Sequence, residues 1–283
     1  MYKVNNFRIS NSNKSFFKKE GYLVLKKFFE PKMISDLNNI LFENFKFFQK
    51  KNLKKKDFDM HLIKLRKKNK EKFGTFFDSL QTIGFGYSIL INKKILNFVS
   101  KLLNTKLNCL TFTDMSIRLD PPFDERNSLG WHQDSSYFRQ NSSGKNGVVI
   151  WIPLHDLGRD LGPLELLKNS NRVGPLNVKK KKTKLKLYSS KRNIDPKYLK
   201  KYKKIISKEL KKGDALLTDL DLVHRSGKNS SNKFRMSLIG RYHKLLSKDF
   251  NSGLNKYIYT NKKLNEEVHG LSLIHISEPT RLG

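Results

Sequence analysis

Gly130-Trp131-His132-Gln133-Asp134 is the stretch on which the fold turns. In an extended strand residues i and i+2 point to the same face, so His132 and Asp134 present an imidazole and a carboxylate to one point. The third candidate ligand, His224, lies in Asp221-Leu222-Val223-His224-Arg225-Ser226-Gly227, after Lys212-Gly213-Asp214 and the apolar run Ala215-Leu216-Leu217. Two imidazoles and one carboxylate on one face of an octahedral metal leave three positions open, the ligand set of non-haem Fe(II) sites. Arg235 follows His224 by 11 residues, and Ser237 stands two further along what reads as one strand. By alternation both project to one side, where a guanidinium grips a carboxylate and a hydroxyl adds one hydrogen bond. Such a pair suits the far carboxylate of a dicarboxylate that chelates the metal.

Each residue also has a plainer reading. A chain with seven histidines can make one His-x-Asp by chance. His132 alone reads as an interior histidine, Asp134 as a turn cap with Ser135 and Ser136, and Arg235 as a strand arginine paired with a carboxylate. The conjunction of all four is what favours a metal centre.

Outward from this stretch, strands and helices separate. Leu110 to Leu119 alternates as a strand that Pro121-Pro122 ends, Val148 to Leu154 is strongly apolar, and Phe234 to Tyr242 is a further strand. Upstream, Ser15 to Glu20 reads as a helix stopped by Gly21, and Tyr22 to Leu25 as a short strand. Pro31 opens a helix carrying Ile34, Leu37, Ile40, Leu41 and Phe45 at helical spacing. Residues 49–72 form a lysine-heavy helix or loop anchored by Leu62, Ile63 and Leu65, and Ile95 to Leu103 one more helix. The lysine-dense 177–211 shows little strand character and reads as an insertion with a short helix near Pro196 to Lys204. Helices first and short strands after predict a helical layer on a β-sandwich or barrel.

Composition narrows the class. The 283 residues carry 58 Lys+Arg against 25 Asp+Glu, a net charge of +33 with a pI near 10.1. Lysine runs at Lys50-Lys51, Lys54 to Lys56, Arg66 to Lys68 and Lys179 to Lys182 invite a nucleic-acid reading. The excess is spread along the whole chain, however, and travels with Asn, Ile and Phe, as A/T-rich codons produce; the aromatics sit in core-like runs. Solvated lysines are therefore the reading preferred over a polyanion groove. The single Cys109 excludes a disulfide framework, a multi-thiolate zinc site and an iron–sulfur cluster. No apolar run approaches the roughly 20 residues of a membrane span, and MYKVNNFRIS lacks a signal-peptide core, so a cytoplasmic protein is expected. Leu271 to Arg281, LSLIHISEPTR, resembles the translation of a transposase sequencing adapter; 271–283 is expected to be non-native and the natural C-terminus missing.

Over about residues 14–245 the chain resembles the phytanoyl-CoA dioxygenase-like branch of the Fe(II)/2-oxoglutarate oxygenases. The residues that carry the resemblance are Glu20 to Leu25, Trp131 to Asp134, Trp151 to Asp156, Gly162-Pro163-Leu164, Asn169 to Asn171, Lys212 to Asp214, His224 to Asn229 and Arg235 to Ser237. It implies a mainly β fold with flanking helices, a double-stranded β-helix of the jelly-roll or cupin type. One oxygenase domain would span 1–270, with its barrel core at about 107–245. His132, Asp134 and His224 would ligate Fe(II); Arg235, helped by Ser226 or Ser237, would anchor 2-oxoglutarate, and Trp151 would line its pocket. Gln133, pointing away, would support the ligands or be structural.

The implied reaction is hydroxylation of a small molecule with O2, releasing succinate and CO2, with ascorbate as reductant in vitro; desaturation, ring closure or epimerisation by the same chemistry fits the sequence too. Related halogenases replace the carboxylate ligand by a small residue, so Asp134 argues for hydroxylation. One departure stands out: the family's Pro-Gly-Ser-His-like loop reads Lys168-Asn169-Ser170-Asn171 here. Arg118, Tyr137, Arg139 and the 177–211 segment are candidates for the substrate rim, which if basic would take an anionic substrate; surface roles fit them equally. The rival from another class is a non-catalytic barrel that binds an anionic or polyanionic ligand. Binding alone would not require the triad and Arg235 together, which favours the enzyme.

Overall fold

The first turns of the chain form for local reasons. Ser10 caps helix α1 (Asn11–Glu20) reciprocally: the Asn13 N–H donates to Ser10 Oγ at 3.0 Å, and the Ser10 N–H donates to Asn13 Oδ1 at 3.2 Å. Gly21 ends that helix at φ 81°, and a Cβ there would stand 2.8 Å from Asn171 and Leu222, so glycine is required twice over. Strand β1 (Tyr22–Leu25) follows, then helix α2 (Pro31–Gln49) with proline in its first turn and Ile34, Leu37, Leu41 and Phe45 buried along one face. Helix α3 (Phe58–Lys68) buries Phe58, Leu62 and Leu65 and leaves its lysines outside. The computed structural model describes residues 8–123, 130–136, 144–176, 178–180, 192–207 and 209–250.

Helices α4 (Lys70–Leu80), α5 (Gly84–Leu90) and α6 (Lys93–Leu102) complete the helical layer. Residues 70–90, unassigned from the sequence apart from the lysine-heavy stretch to 72, thus form two helices, and the described chain is mixed α/β rather than mainly β. The signal was present in Phe73, Phe76 and Leu80, which are spaced for one helix face and are buried.

The strands build two antiparallel sheets. The larger takes β1, β2 (Leu110–Asp120), β3 (Gly147–Pro153), β8 (Ala215–Asp219) and β10 (Arg235–Lys244) in the order β1-β8-β3-β10-β2. The smaller takes β4 (Leu164–Leu167), β7 (Lys204–Ile206) and β9 (His224–Ser226) in the order β7-β4-β9. A two-stranded ribbon joins β5 (Val178–Lys180) and β6 (Arg192–Ile194). The segment 177–211, expected to have little strand character, thus holds three short strands among its described residues. Ile205 pairs with Leu166, which makes part of that segment an edge of the smaller sheet, and the helical piece near Pro196 is a single 3-10 turn, Pro196–Tyr198. High lysine content is compatible with an edge strand, where charge blocks further pairing.

Both faces of the larger sheet are covered, and parity decides which face a residue serves. Val148, Ile150 and Ile152 of β3 and Met236, Leu238 and Tyr242 of β10 pack against the helices. Val149, Trp151 and Ile239, one residue out of phase, turn toward Leu164 and Leu166 of the smaller sheet. Every residue of β3 is buried for this reason. No helix among the described residues is long and apolar enough to cross a membrane. The tail from 271, Tyr137 and Arg139 lie outside the described residues.

Candidate active site

His132 and His224 face each other as a hydrogen-bonded pair of main chains. The His132 N–H donates to His224 O at 2.9 Å, and the His224 N–H donates to His132 O at 3.0 Å. Their rings lie 4.2 Å apart between centroids. Each ring donates its Nδ1 proton to a carbonyl two residues earlier, His132 to Gly130 O at 2.7 Å and His224 to Leu222 O at 2.9 Å. That fixes the tautomer and leaves both Nε2 lone pairs pointing the same way. Both Nε2 atoms stand 3.9 Å from an oxygen of Asp134, His132 from Oδ1 and His224 from Oδ2. All three donor atoms lie within 4.8 Å of one another and all three residues are buried. Two neutral imidazole nitrogens and one carboxylate converging at that spacing fit a divalent transition metal.

Strand alternation puts His132 and Asp134 on one extended strand; the structure corrects this. His132 makes a single bridge to β9, and Asp134 opens a 3-10 turn, Asp134–Ser136. Convergence comes from that turn, not from strand pleating. Gln133 holds the segment from behind: its Nε2 donates to Gly174 O at 2.9 Å and Asp221 O at 2.6 Å, and its Oε1 accepts from the Leu176 N–H at 2.7 Å. Its role is thus structural.

Electrostatics agree with a ligand set. Burial, with His224 beside it, lowers the His132 pKa to about 3, so the ring is neutral at pH 7. Burial alone would raise Asp134, but the neighbouring His224, Arg241, His132 and Arg118 outweigh it and hold the carboxyl below its ordinary range.

The triad opens on a cavity lined by both charged and apolar side chains. Trp151 and Ile239 line it from the larger sheet and Leu164 from the smaller. Arg235 lies at one end, buried, donating from Nε and Nη2 to Asp120 Oδ2 at 3.1 and 2.6 Å, from Nη2 to Ser226 Oγ at 3.0 Å, and to Gly162 O. Arg118 also lines the cavity and donates to the other oxygen of Asp120 at 2.7 Å. Ser237 follows on the same face of β10; its Oγ is buried with no hydrogen-bond partner among the described residues. The cavity walls include no described residue from 177–211.

Three contributors were not read from the sequence. Asp120, two residues beyond Arg118 on the same strand face, carries the charge that balances Arg118 and Arg235. Arg241, six residues beyond Arg235 on β10, reaches the cavity and pairs with Asp114 of β2; strand parity was the available signal for both. Ser170 is the third. Its Oγ accepts from the Val223 N–H at 2.8 Å, beside ligand His224, so the departing loop 168–171 still fastens the strand that carries that ligand. Asn171 donates to Lys18 O at 3.3 Å.

The sequence profile of the phytanoyl-CoA dioxygenase (PhyH) family matches residues 17–237. Among curated protein sequences none matches the chain. Solved structures share its fold at low identity. The epimerase SnoN, in complex with Fe3+, alpha ketoglutarate and nogalamycin RO, is 12% identical over 87% of this chain and 87% of that one, with a TM-score of 0.58. EctD from S. alaskensis, with 2-oxoglutarate and 5-hydroxyectoine, is 14% identical over 83% of this chain and 76% of that one, with a TM-score of 0.56. EvdO2 from Micromonospora carbonacea var. aurantiaca, complexed with 2-oxoglutarate, is 15% identical over 86% and 94%, with a TM-score of 0.54.

Proposed function

The chain belongs to the phytanoyl-CoA dioxygenase family, and on that premise we propose that it hydroxylates a small molecule with release of succinate and CO2. It is a non-haem Fe(II)- and 2-oxoglutarate-dependent oxygenase with the triad His132, Asp134 and His224. When bound, iron and 2-oxoglutarate supply with O2 the oxidising chemistry that protein side chains lack.

The chain's own residues provide the rest. Gly130 O and Leu222 O hold the two imidazoles with Nε2 exposed to the metal position. Arg235, aimed by Asp120 and Ser226, would receive the far carboxylate of the co-substrate, whereas Ser237 does not line the cavity. Trp151, Leu164 and Ile239 give the cavity apolar wall beside its charged groups. Arg118, Arg235 and Arg241 balance Asp114, Asp120 and Asp134, so a divalent metal between neutral imidazoles brings two positive charges, matching a dicarboxylate dianion. Asp134 fills the position where a halogenase needs space for halide, which supports hydroxylation. SnoN is described as an epimerase, so product analysis separates the two outcomes in this chain. We read the two sheets as the halves of a double-stranded β-helix, in a single domain over 1–270.

The observation that carries this reading is the convergence of two Nε2 atoms and a carboxylate on a cavity whose other end holds Arg235. The test is succinate formation from 2-oxoglutarate with Fe(II), ascorbate and air, for wild type and His132→Ala. Iron-dependent succinate that vanishes in the variant is expected. No turnover together with no Fe(II)- or 2-oxoglutarate-induced thermal shift would overturn it and favour a binding barrel.

A further inference from the structure

We infer that Asp59 and His155 are positioning residues that fix the start of β10 and thereby aim Arg235. This rests on the reading of Arg235 as the co-substrate anchor.

Strand β3 ends at Pro153, opposite Ser237, so the first residues of β10 run past its end. In a regular antiparallel pair Met236 and Leu154 would exchange two main-chain bonds. Only half is made: the Leu154 N–H donates to Met236 O at 3.0 Å, while Leu154 O accepts from Asn38 Nδ2 of α2 at 2.6 Å. The Met236 N–H instead donates to His155 Nε2 at 2.8 Å. Two residues back, on the same side of the strand, the Phe234 N–H donates to Asp59 Oδ1 of α3 at 2.8 Å. Two side chains therefore supply the rungs that β3 no longer offers, and Arg235 lies between them.

The ring can do this in one form only. Nε2 accepts, so Nδ1 carries the proton, and it donates to Asp156 O at 3.2 Å. Burial keeps the ring neutral, and the nearby Arg235 and Lys233 add to that, against the Asp156 carbonyl and the Asp59 carboxylate. Protonation would set a donor against a donor and take the acceptor away from the Met236 N–H. Asp59 is itself raised by burial, against the Phe234 N–H and the neighbouring His155 and Lys233.

The test is the affinity of Mn(II)-loaded protein for 2-oxoglutarate by calorimetry, beside its affinity for Mn(II). His155→Ala leaves a buried N–H without an acceptor and should weaken 2-oxoglutarate about tenfold, with Mn(II) affinity unchanged. His155→Gln, whose Oε1 reaches where Nε2 stood, should restore binding. Asp59→Asn keeps the acceptor and should bind like wild type, whereas Asp59→Ala should not; this pair decides the matter if His155→Ala does not fold. Wild-type 2-oxoglutarate binding by His155→Ala, beside weak binding by Arg235→Met, overturns the inference and leaves the anchor reading standing. Wild-type binding by Arg235→Met overturns the anchor reading itself. Equal losses of Mn(II) and 2-oxoglutarate, or no rescue by glutamine, would show the ring to be merely part of the core and also overturn the inference.

Discussion

Asparagine at position 120 would leave Arg118 and Arg235 facing one another with no carboxylate between them. Asp120 and Arg235 are buried, and Asp120 accepts at 2.7 Å from Arg118 and at 2.6 and 3.1 Å from Arg235. Removing one partner of a buried ion pair costs about 3–5 kcal/mol, because the uncompensated charge stays behind. Arg118 keeps 24% of its side chain exposed, so water relieves part of its charge and the low end, about 3 kcal/mol, applies. With a urea slope of about 3 kcal/mol per molar, the unfolding midpoint should fall by about 1 M. Burial alone would raise the Asp120 carboxyl; Arg118 and Arg235 outweigh it and hold the pKa below its ordinary value. A depressed folded-state pKa gives stability that is full above about pH 4 and lost as pH falls below it. The wild type should show that acid loss and Asp120→Asn should lack it. The double variant Asp120→Asn/Arg118→Met removes one cation and should recover about 1–2 kcal/mol. A midpoint shift under about 0.3 M, or a double variant no better than the single one, would refute the reasoning.

Burial and the neighbouring Asp221 carboxylate push Asp219 up to about 7, so stability should fall as pH rises from about 4 to 7. Asp219→Asn should flatten that slope in urea midpoints measured between pH 5 and 8. Gly21→Ala should cost about 1–2 kcal/mol or more from its left-handed backbone and the contact with Asn171, and lower Tm by several degrees. Gly74→Ala, inside α4 with nothing within 4 Å of the added carbon, should instead add about 0.5–1 kcal/mol by the same thermal assay. Ser226→Ala removes an acceptor from Arg235 and should raise the KM for 2-oxoglutarate about fivefold with little change in kcat, measured as succinate release.

Much of the site was legible because its residues fall on strands whose period is fixed. Arg235 and Ser237 share a face as alternation requires, and the helical spacing from Ile34 to Phe45 marks α2 as it stands. Legibility failed where long-range pairing decides the backbone. Nothing local says that Lys204–Ile206 joins a sheet, because its partner Leu164–Leu167 is distant in sequence. Asp134 was placed on the right point for the wrong reason, since the turn that delivers it depends on Gln133 gripping residues 174, 176 and 221. Asp120 and Arg241 were open to the same parity argument that found Ser237. Their importance emerges only when the register sets Arg235 opposite Asp120 and Arg241 opposite Asp114.

The reciprocal main-chain bonds between His132 and His224 make the two imidazoles a single opening unit. Neither residue can swing away without breaking a bond that holds the other, so the pair comes apart in one event. Amide protons at 132 and 224 should therefore show one common protection factor against exchange with deuterium. A divalent ion captured by the rings should slow both by the same factor, one plus free metal over Kd, although neither amide touches the metal. Loss of metal through local fluctuation would then be all-or-none, with no lingering state held by one histidine.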